Sequence, residues 1–243
     1  MGQKINPKSL RLGVTKDWPV RWFFPSLGKD AGKSKRFNYA KFLEEDELIR
    51  NVIKKKISLA GIAGVEIERT ASNLRIVVKA ARPGLVIGRG GKGIEELSST
   101  IEKGLKGLRG ENKEHKINLS LNVEELKRTE ISATHIGQQI AWDLERRMPF
   151  RRTMKKYLDQ VMQSREVKGA KVLMSGRLGG AEIARRESLK SGALPLQTLR
   201  ADIDYGKATA FTAYGTIGIK VWIYKGEVFN RRKANEDKDN HNK

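Results

Sequence analysis

Apolar residues recur at three- and four-residue spacing from Tyr39 to Ile57. Phe42, Ile49, Val52, Ile53 and Ile57 share one side, so the pattern predicts a helix, and Gly61 marks its exit. Val65 and Ile67, then Leu74, Ile76 and Val78, alternate with polar residues, as two half-buried strands would. A further helix is expected from about Lys92 to Leu108, with Ile94, Leu97, Ile101, Leu105 and Leu108 on one face and Gly110 ending it. Ile117, Leu119, Leu121 and Val123 give a third strand. Beyond Glu124, the residues Ala133, Ile136, Ile140 and Leu144 make another helical stripe. Met148-Pro149 closes it, because proline cannot donate to a helix ladder. A second helix follows with Met154, Leu158, Val161 and Met162 as its apolar side. After Gly169 the pattern turns to strands, from Lys171 to Ser175, Leu199 to Tyr205 and Thr216 to Tyr224.

This order predicts an α+β chain of two domains. A basic, irregular arm covers residues 1–38. Residues 39–124 form a domain with a three-stranded sheet packed with helices, and residues 125–228 a domain with two helices on a mostly antiparallel sheet. Residues 229–243 are polar and charged and are expected to be a disordered tail. In the arm, Trp18, Trp22, Phe23 and Phe24 sit among Lys4, Lys8, Arg11, Lys16 and Arg21. Two uses fit such a mixture: RNA contact through phosphates and stacking, or aromatics that plug a core while the cations stay solvated.

Charge narrows the partner. The 243 residues hold 49 Lys and Arg against 28 Asp and Glu, a net charge of +21. A polyanion is the natural neutraliser of such an excess. No apolar run of ~18 residues and no basic amphipathic anchor appears, so no membrane partner is expected. The first residues carry no apolar signal-peptide core, and there is no Cys, which suits a reducing cytoplasm and excludes disulfides and thiol chemistry. His115, His135 and His241 fall in no metal or triad spacing, so no cofactor, metal or enzymatic activity is expected.

Two stretches carry candidate chemistry. The first is Arg82-Pro83-Gly84-Leu85-Val86-Ile87-Gly88-Arg89-Gly90-Gly91-Lys92-Gly93-Ile94, a turn, a short apolar run, a glycine loop with cations, and a helix start. Glycines allow close backbone approach, helix-start amides attract anions, and Arg89 and Lys92 add charge, so Gly88, Arg89, Gly90, Gly91 and Lys92 are candidate RNA contacts. Gly88-x-x-Gly91 resembles the loop with which KH domains grip a single-stranded backbone, and the order helix, strand, strand, glycine-loop helices, strand matches the type II arrangement. Gly88-x-Gly90-x-x-Gly93 also fits a dinucleotide-binding pattern, but Pro83-Gly84 breaks the strand that should lead into it. A plain turn is the remaining alternative. The second stretch is dense in cations: Arg146, Arg147, Arg151, Arg152, Lys155 and Lys156, flanked by only Glu145 and Asp159. Arg151 and Lys155, like Arg152 and Lys156, are four apart, where like charges repel on a helix. Such a face is suited to binding a polyanion.

Longer blocks resemble one family. Met1-Gly2-Gln3-Lys4-Ile5-Asn6-Pro7, Arg11-Leu12-Gly13, Ser175 to Arg185, Thr198 to Tyr205 and Gly215 to Glu227 are similar to bacterial-type small-subunit ribosomal protein three, from Met1 to about Val228. The resemblance implies a structural protein of the small-subunit head, bound to small-subunit rRNA, with small-subunit proteins ten and fourteen as neighbours. With proteins four and five it would border the channel by which mRNA enters, where Arg151, Arg152 and Lys155 match the positions that face mRNA and support its unwinding. Lys4, Lys8, Arg11, Arg146, Arg147, Lys156, Arg177, Arg185, Arg186, Lys190 and Arg200 are the candidate rRNA contacts. Family members often carry a lysine in the glycine loop; Gly90 here removes one cation.

Overall fold

A computed structural model describes residues 4–22, 32–57, 60–70, 73–109, 118–126 and 131–229. Phe23, Phe24, Gly110, His115, Ile117, His241 and the charged tail after Phe229 lie outside them. Contacts divide the chain into one unit of Met1–Trp18 with Lys127–Lys243 and another of Pro19–Leu126. The described part of the expected arm is shared between the two units. It holds helix α1 (Pro7–Arg11) in the first unit and strand β1 (Val20–Arg21) in the second. Asn6 starts α1 by accepting the Lys8 N–H at 3.0 Å, with Pro7 at the first helical position, where its missing donor costs nothing.

The second unit continues through α2 (Gly32–Lys56), β2 (Ile62–Arg69), β3 (Asn73–Ala80), α3 (Pro83–Ile87), α4 (Lys92–Arg109) and β4 (Asn118–Glu125). Its sheet runs β1-β2-β3-β4. β2 and β3 pair antiparallel, while β3 and β4 pair parallel because α3 and α4 form the crossover between them. The expected three strands gain a fourth, since β1 joins β2 in parallel through Val20 and Arg21. Two residues are too short for alternation to reveal. Ile49 and Ile53 of α2, Leu97, Ile101 and Leu105 of α4, and Ile67, Leu74, Ile76 and Val78 of the sheet make one core. These are the positions that the two periodicities single out.

The other unit contains α5 (Ala133–Glu145), α6 (Phe150–Met162), β5 (Gly169–Gly176), β6 (Arg185–Gly192), β7 (Ala201–Thr212) and β8 (Gly215–Glu227). The strand order is β6-β5-β8-β7, and every pairing is antiparallel. Ile136, Ile140 and Leu144 of α5 and Met154, Leu158 and Val161 of α6 pack on Val172, Met174, Ile219 and Val221. β6 is absent from the sequence pattern. It is an edge strand whose only large apolar residue is Leu189, so it shows no alternation.

Candidate nucleic-acid interface

In the second unit the glycine loop is built by helix packing. α3 ends at Gly88 (φ 71°, ψ −179°), whose N–H donates to the Gly84 carbonyl at 3.0 Å. A Cβ on Gly88 would lie 2.9 Å from the Gly93 nitrogen, and one on Gly93 2.5 Å from the Val86 carbonyl oxygen. Both glycines are needed for α3 to meet α4. Gly90 (φ 63°) and Gly91 (φ 82°) differ: their backbone is left-handed, yet nothing lies within 4 Å of an added Cβ. Open space at the loop tip leaves the backbone accessible to a ligand, with Arg89 and Lys92 exposed beside it. The apolar run before the loop is helical rather than extended, so β3 does not lead into the glycines. That removes the strand–loop–helix geometry a dinucleotide site requires.

In the first unit, α6 separates its residues cleanly. Thr153, Met154, Tyr157, Leu158 and Val161 are buried, while Arg151, Arg152, Lys155 and Lys156 are exposed on the opposite side. No acid stands in the first turn and no side chain caps it. Arg151 and Arg152 thus add charge to the positive end of the helix dipole, which costs helix stability and deepens the local positive potential. Arg151 is steered by Glu187 of β6, 3.4 Å away, and lies over the Phe150 ring at 5.6 Å. Arg185 meets the same Glu187 at 3.1 Å and the same ring at 5.6 Å. Lys156 reaches Asp143 at 3.5 Å, which also accepts the Tyr157 hydroxyl at 2.9 Å. Burial first, and then Asp143, raise the pKa of that hydroxyl. Among the described residues no carboxylate pairs with Arg152 or Lys155.

Arg146 and Arg147 leave α5 beside this face. Arg147 N–H donates to the Leu144 carbonyl at 2.9 Å and Met148 N–H to Asp143 at 3.0 Å, a Schellman ending. Its left-handed position, usually glycine, is held by Arg147 at φ 63°. A cation kept where glycine is less strained is consistent with a use outside the fold.

The remaining predicted contacts divide. Lys4, Arg186, Lys190 and Arg200 are exposed. Lys8 is half-exposed and bound to Asp204 at 2.9 Å. Arg177 is exposed, but its Nε donates to the Ala181 carbonyl (2.9 Å) and its Nη1 to Tyr214 (3.3 Å), so it also fastens a turn. Arg11 corrects the expectation: it is 0% exposed and cannot meet RNA. Its guanidinium donates to the carbonyls of Ala201 (2.7 Å), Pro7 (3.0 Å), Leu196 (3.0 Å) and Thr198 (2.9 Å). The pattern missed Phe150 and Glu187, which orient Arg151 and Arg185. Only the unrecognised strand β6 brings Glu187 there.

Comparison with known proteins agrees with both halves. The family described as "KH domain" matches residues 48–131, and "Ribosomal protein S3, C-terminal domain" matches residues 140–223. Small ribosomal subunit protein uS3 of Clostridium novyi (strain NT) is 48% identical over 234 residues, 96% of this chain and 97% of that protein. The uS3 of Clostridium botulinum (strain Okra / Type B1) is 46% identical over 242 residues and the whole of both chains. That of Alkaliphilus oremlandii (strain OhILAs) is 47% identical over 229 residues, 94% and 87% of the two. With a type II KH unit, a matching C-terminal unit and identity at this level along its whole length, the chain belongs to the small ribosomal subunit protein uS3 family, a family of structural, non-enzymatic ribosomal components.

Proposed function

We propose that this chain holds small-subunit rRNA through dispersed phosphate contacts and presents the exposed face of α6 to incoming mRNA. The observation that carries the second part is that α6 sets Arg151, Arg152, Lys155 and Lys156 on one solvent face at the positive end of its dipole. Cations so placed favour single strands, whose phosphates can approach individually, while the translating ribosome supplies the motion. Small-subunit proteins ten and fourteen are the proposed neighbours, with four and five sharing the rim where mRNA enters. Lys4, Arg146, Arg147, Arg185, Arg186, Lys190 and Arg200 supply rRNA contacts, with Lys8, Lys156 and Arg177 dividing their charge between the fold and RNA.

Ribosomes carrying Arg151→Ala with Arg152→Ala are expected to slow on mRNA with a stable hairpin and to read unstructured mRNA at the wild-type rate. A single-ribosome or bulk translation assay on the two messages measures this. Equal rates for mutant and wild type on the hairpin message would remove the proposal.

The Gly88–Lys92 loop is proposed to grip a single-stranded RNA backbone. Arg89→Asp with Gly90→Asp in the full chain should weaken binding of a short unstructured RNA. It should also lower the slope of log affinity against log salt by about 0.7 for each phosphate no longer neutralised. Filter binding over a salt series reads both quantities. An unchanged slope would mean the loop is only a turn.

A further inference from the structure

We infer that the face of the C-terminal sheet turned away from α5 and α6 is an RNA-backbone surface, carried by Lys171, Arg186, Lys190, Lys207 and Lys220. Successive residues of a strand point to opposite faces. Val172, Met174, Ala210, Ile219 and Val221 face the helices, so Lys171 of β5, Lys207 of β7 and Lys220 of β8 stand on the other side. The register then brings like charges together. Lys171 pairs directly with Lys190, and Lys207 with Lys220, while Arg186 of β6 lies opposite Ser175 on the same face.

Directly opposed like charges weaken a sheet. The Lys171 ammonium lies 5.8 Å from the centre of the Trp222 ring, which offsets part of the first pair, whereas no ion pair or ring contact among the described residues offsets Lys207–Lys220. Between the strand ends this face carries no Asp or Glu; beyond the register shift at Asp202, whose carboxylate is taken by Lys16, the exposed Glu227 lies opposite Ala201 at the end of β8. None of the five cations has a carboxylate within ion-pairing distance among the described residues. A polyanion would relieve the repulsion.

The aromatics here indicate which kind of contact is made. Tyr205 and Trp222 sit opposite each other, with ring centroids 5.3 Å apart. Tyr205 is 8% exposed, and Trp222, Leu194 and Leu196 pack against Ala201, Ile203 and Tyr224. The two rings are partners of each other rather than platforms for bases. What the face offers is ammonium and guanidinium groups with the exposed hydroxyls of Ser188 and Thr209. That donor set recognises phosphate and ribose without reading sequence, as structured rRNA requires.

This inference rests on the chain being an rRNA-binding protein, and the experiment separates the two. The full chain is titrated with a transcript of the small-subunit head rRNA over a salt series. Lys207→Gln with Lys220→Gln should bind about tenfold more weakly at about 0.1 M salt, with the salt slope smaller by about 1.4–1.8 for two phosphates no longer neutralised. Lys207→Glu alone should also weaken RNA binding while keeping or raising the melting temperature, because an opposite-charge pair replaces Lys207–Lys220. A role confined to folding would not move stability and affinity in opposite directions. If the Gln pair binds with wild-type affinity and slope while Arg146→Ala with Arg200→Ala binds more weakly, only the sheet face is overturned. If the wild-type chain does not bind the transcript, the rRNA reading itself fails and this face with it. Wild-type RNA binding by the Gln pair combined with poor incorporation into subunits would assign the face to a protein neighbour and overturn the proposal.

Discussion

Arg69→Met is expected to destabilise the KH unit by about 3–5 kcal/mol, the usual cost of removing one partner from a buried ion pair. Arg69 ends β2 with its side chain 5% exposed. Nη1 donates to Glu45 and Nη2 to Asp46 at 2.9 Å, and the guanidinium lies over Phe42 at 4.5 Å from the ring centre. Trp22, which follows β1, donates its indole N–H to Asp46 at 3.0 Å and packs on Tyr39 and Phe42. One side chain therefore ties the sheet to α2 and to the segment carrying β1. Without it, two buried carboxylates lose the cation they share. Arg69→Lys should recover only part of the loss, because an ammonium cannot span both acids with a planar fork. Arg69→Met combined with Glu45→Gln and Asp46→Asn should recover most of it. Urea unfolding of the full chain, followed by hydrogen exchange in peptides from β2 and β3, tests the series. Unchanged protection in Arg69→Met would mean that the cluster contributes nothing net to this unit.

The KH unit and both C-terminal helices were legible because each pairs a strong apolar period with a polar face. α6 shows this most clearly, with Met154, Leu158 and Val161 buried and every charge exposed; in α4 Leu97, Ile101 and Leu105 are buried, but Ile94 is only half-buried and Leu108, expected on the same face, is exposed. The glycine loop was legible as a loop from its residues, and as a junction of helices only through the KH resemblance. Nothing in Pro83 to Ile87 marks five residues as helical until α4 is there to pack against. β6 escaped because an edge strand needs no alternating apolar residues, and Glu187 escaped with it. Lys171, Lys207 and Lys220 were passed over for a related reason. Each looks like an ordinary polar position in an alternating strand, and only the register shows that lysine faces lysine. Arg11 is the opposite case. A cation among cations reads as surface, and its burial depends on carbonyls about 190 positions away in sequence.

Arg11→Leu should cost the C-terminal unit about 2–5 kcal/mol, because several buried carbonyls lose their donor at once. The leucine fills the space but donates nothing, leaving the carbonyls of Pro7, Leu196, Thr198 and Ala201 without the donors they now have. Each buried orphan costs about 1–3 kcal/mol, and relaxation keeps the sum below simple addition. Arg11→Lys should rescue little, because three donors on one nitrogen cannot serve four carbonyls spread around a plane. Release of α1 would also free Lys8 from Asp204, whose other oxygen accepts the Ala133 N–H at the start of α5 at 2.7 Å. Burial pushes the Asp204 pKa up, but Lys8, the Ala133 amide and Lys16 outweigh it and hold the carboxyl below its ordinary 3.8. A depressed folded value means that this stabilisation is fully present above the unfolded value and is lost as pH falls through the folded one. The melting temperature of the wild-type C-terminal unit should therefore be insensitive to this group above about pH 4 and fall progressively as pH drops below it. In Arg11→Leu that transition should be lowered at neutral pH as well, with proteolysis beginning within the first eighteen residues. A neutral-pH transition at the wild-type temperature would show that the N-terminal segment rests on the unit without stabilising it.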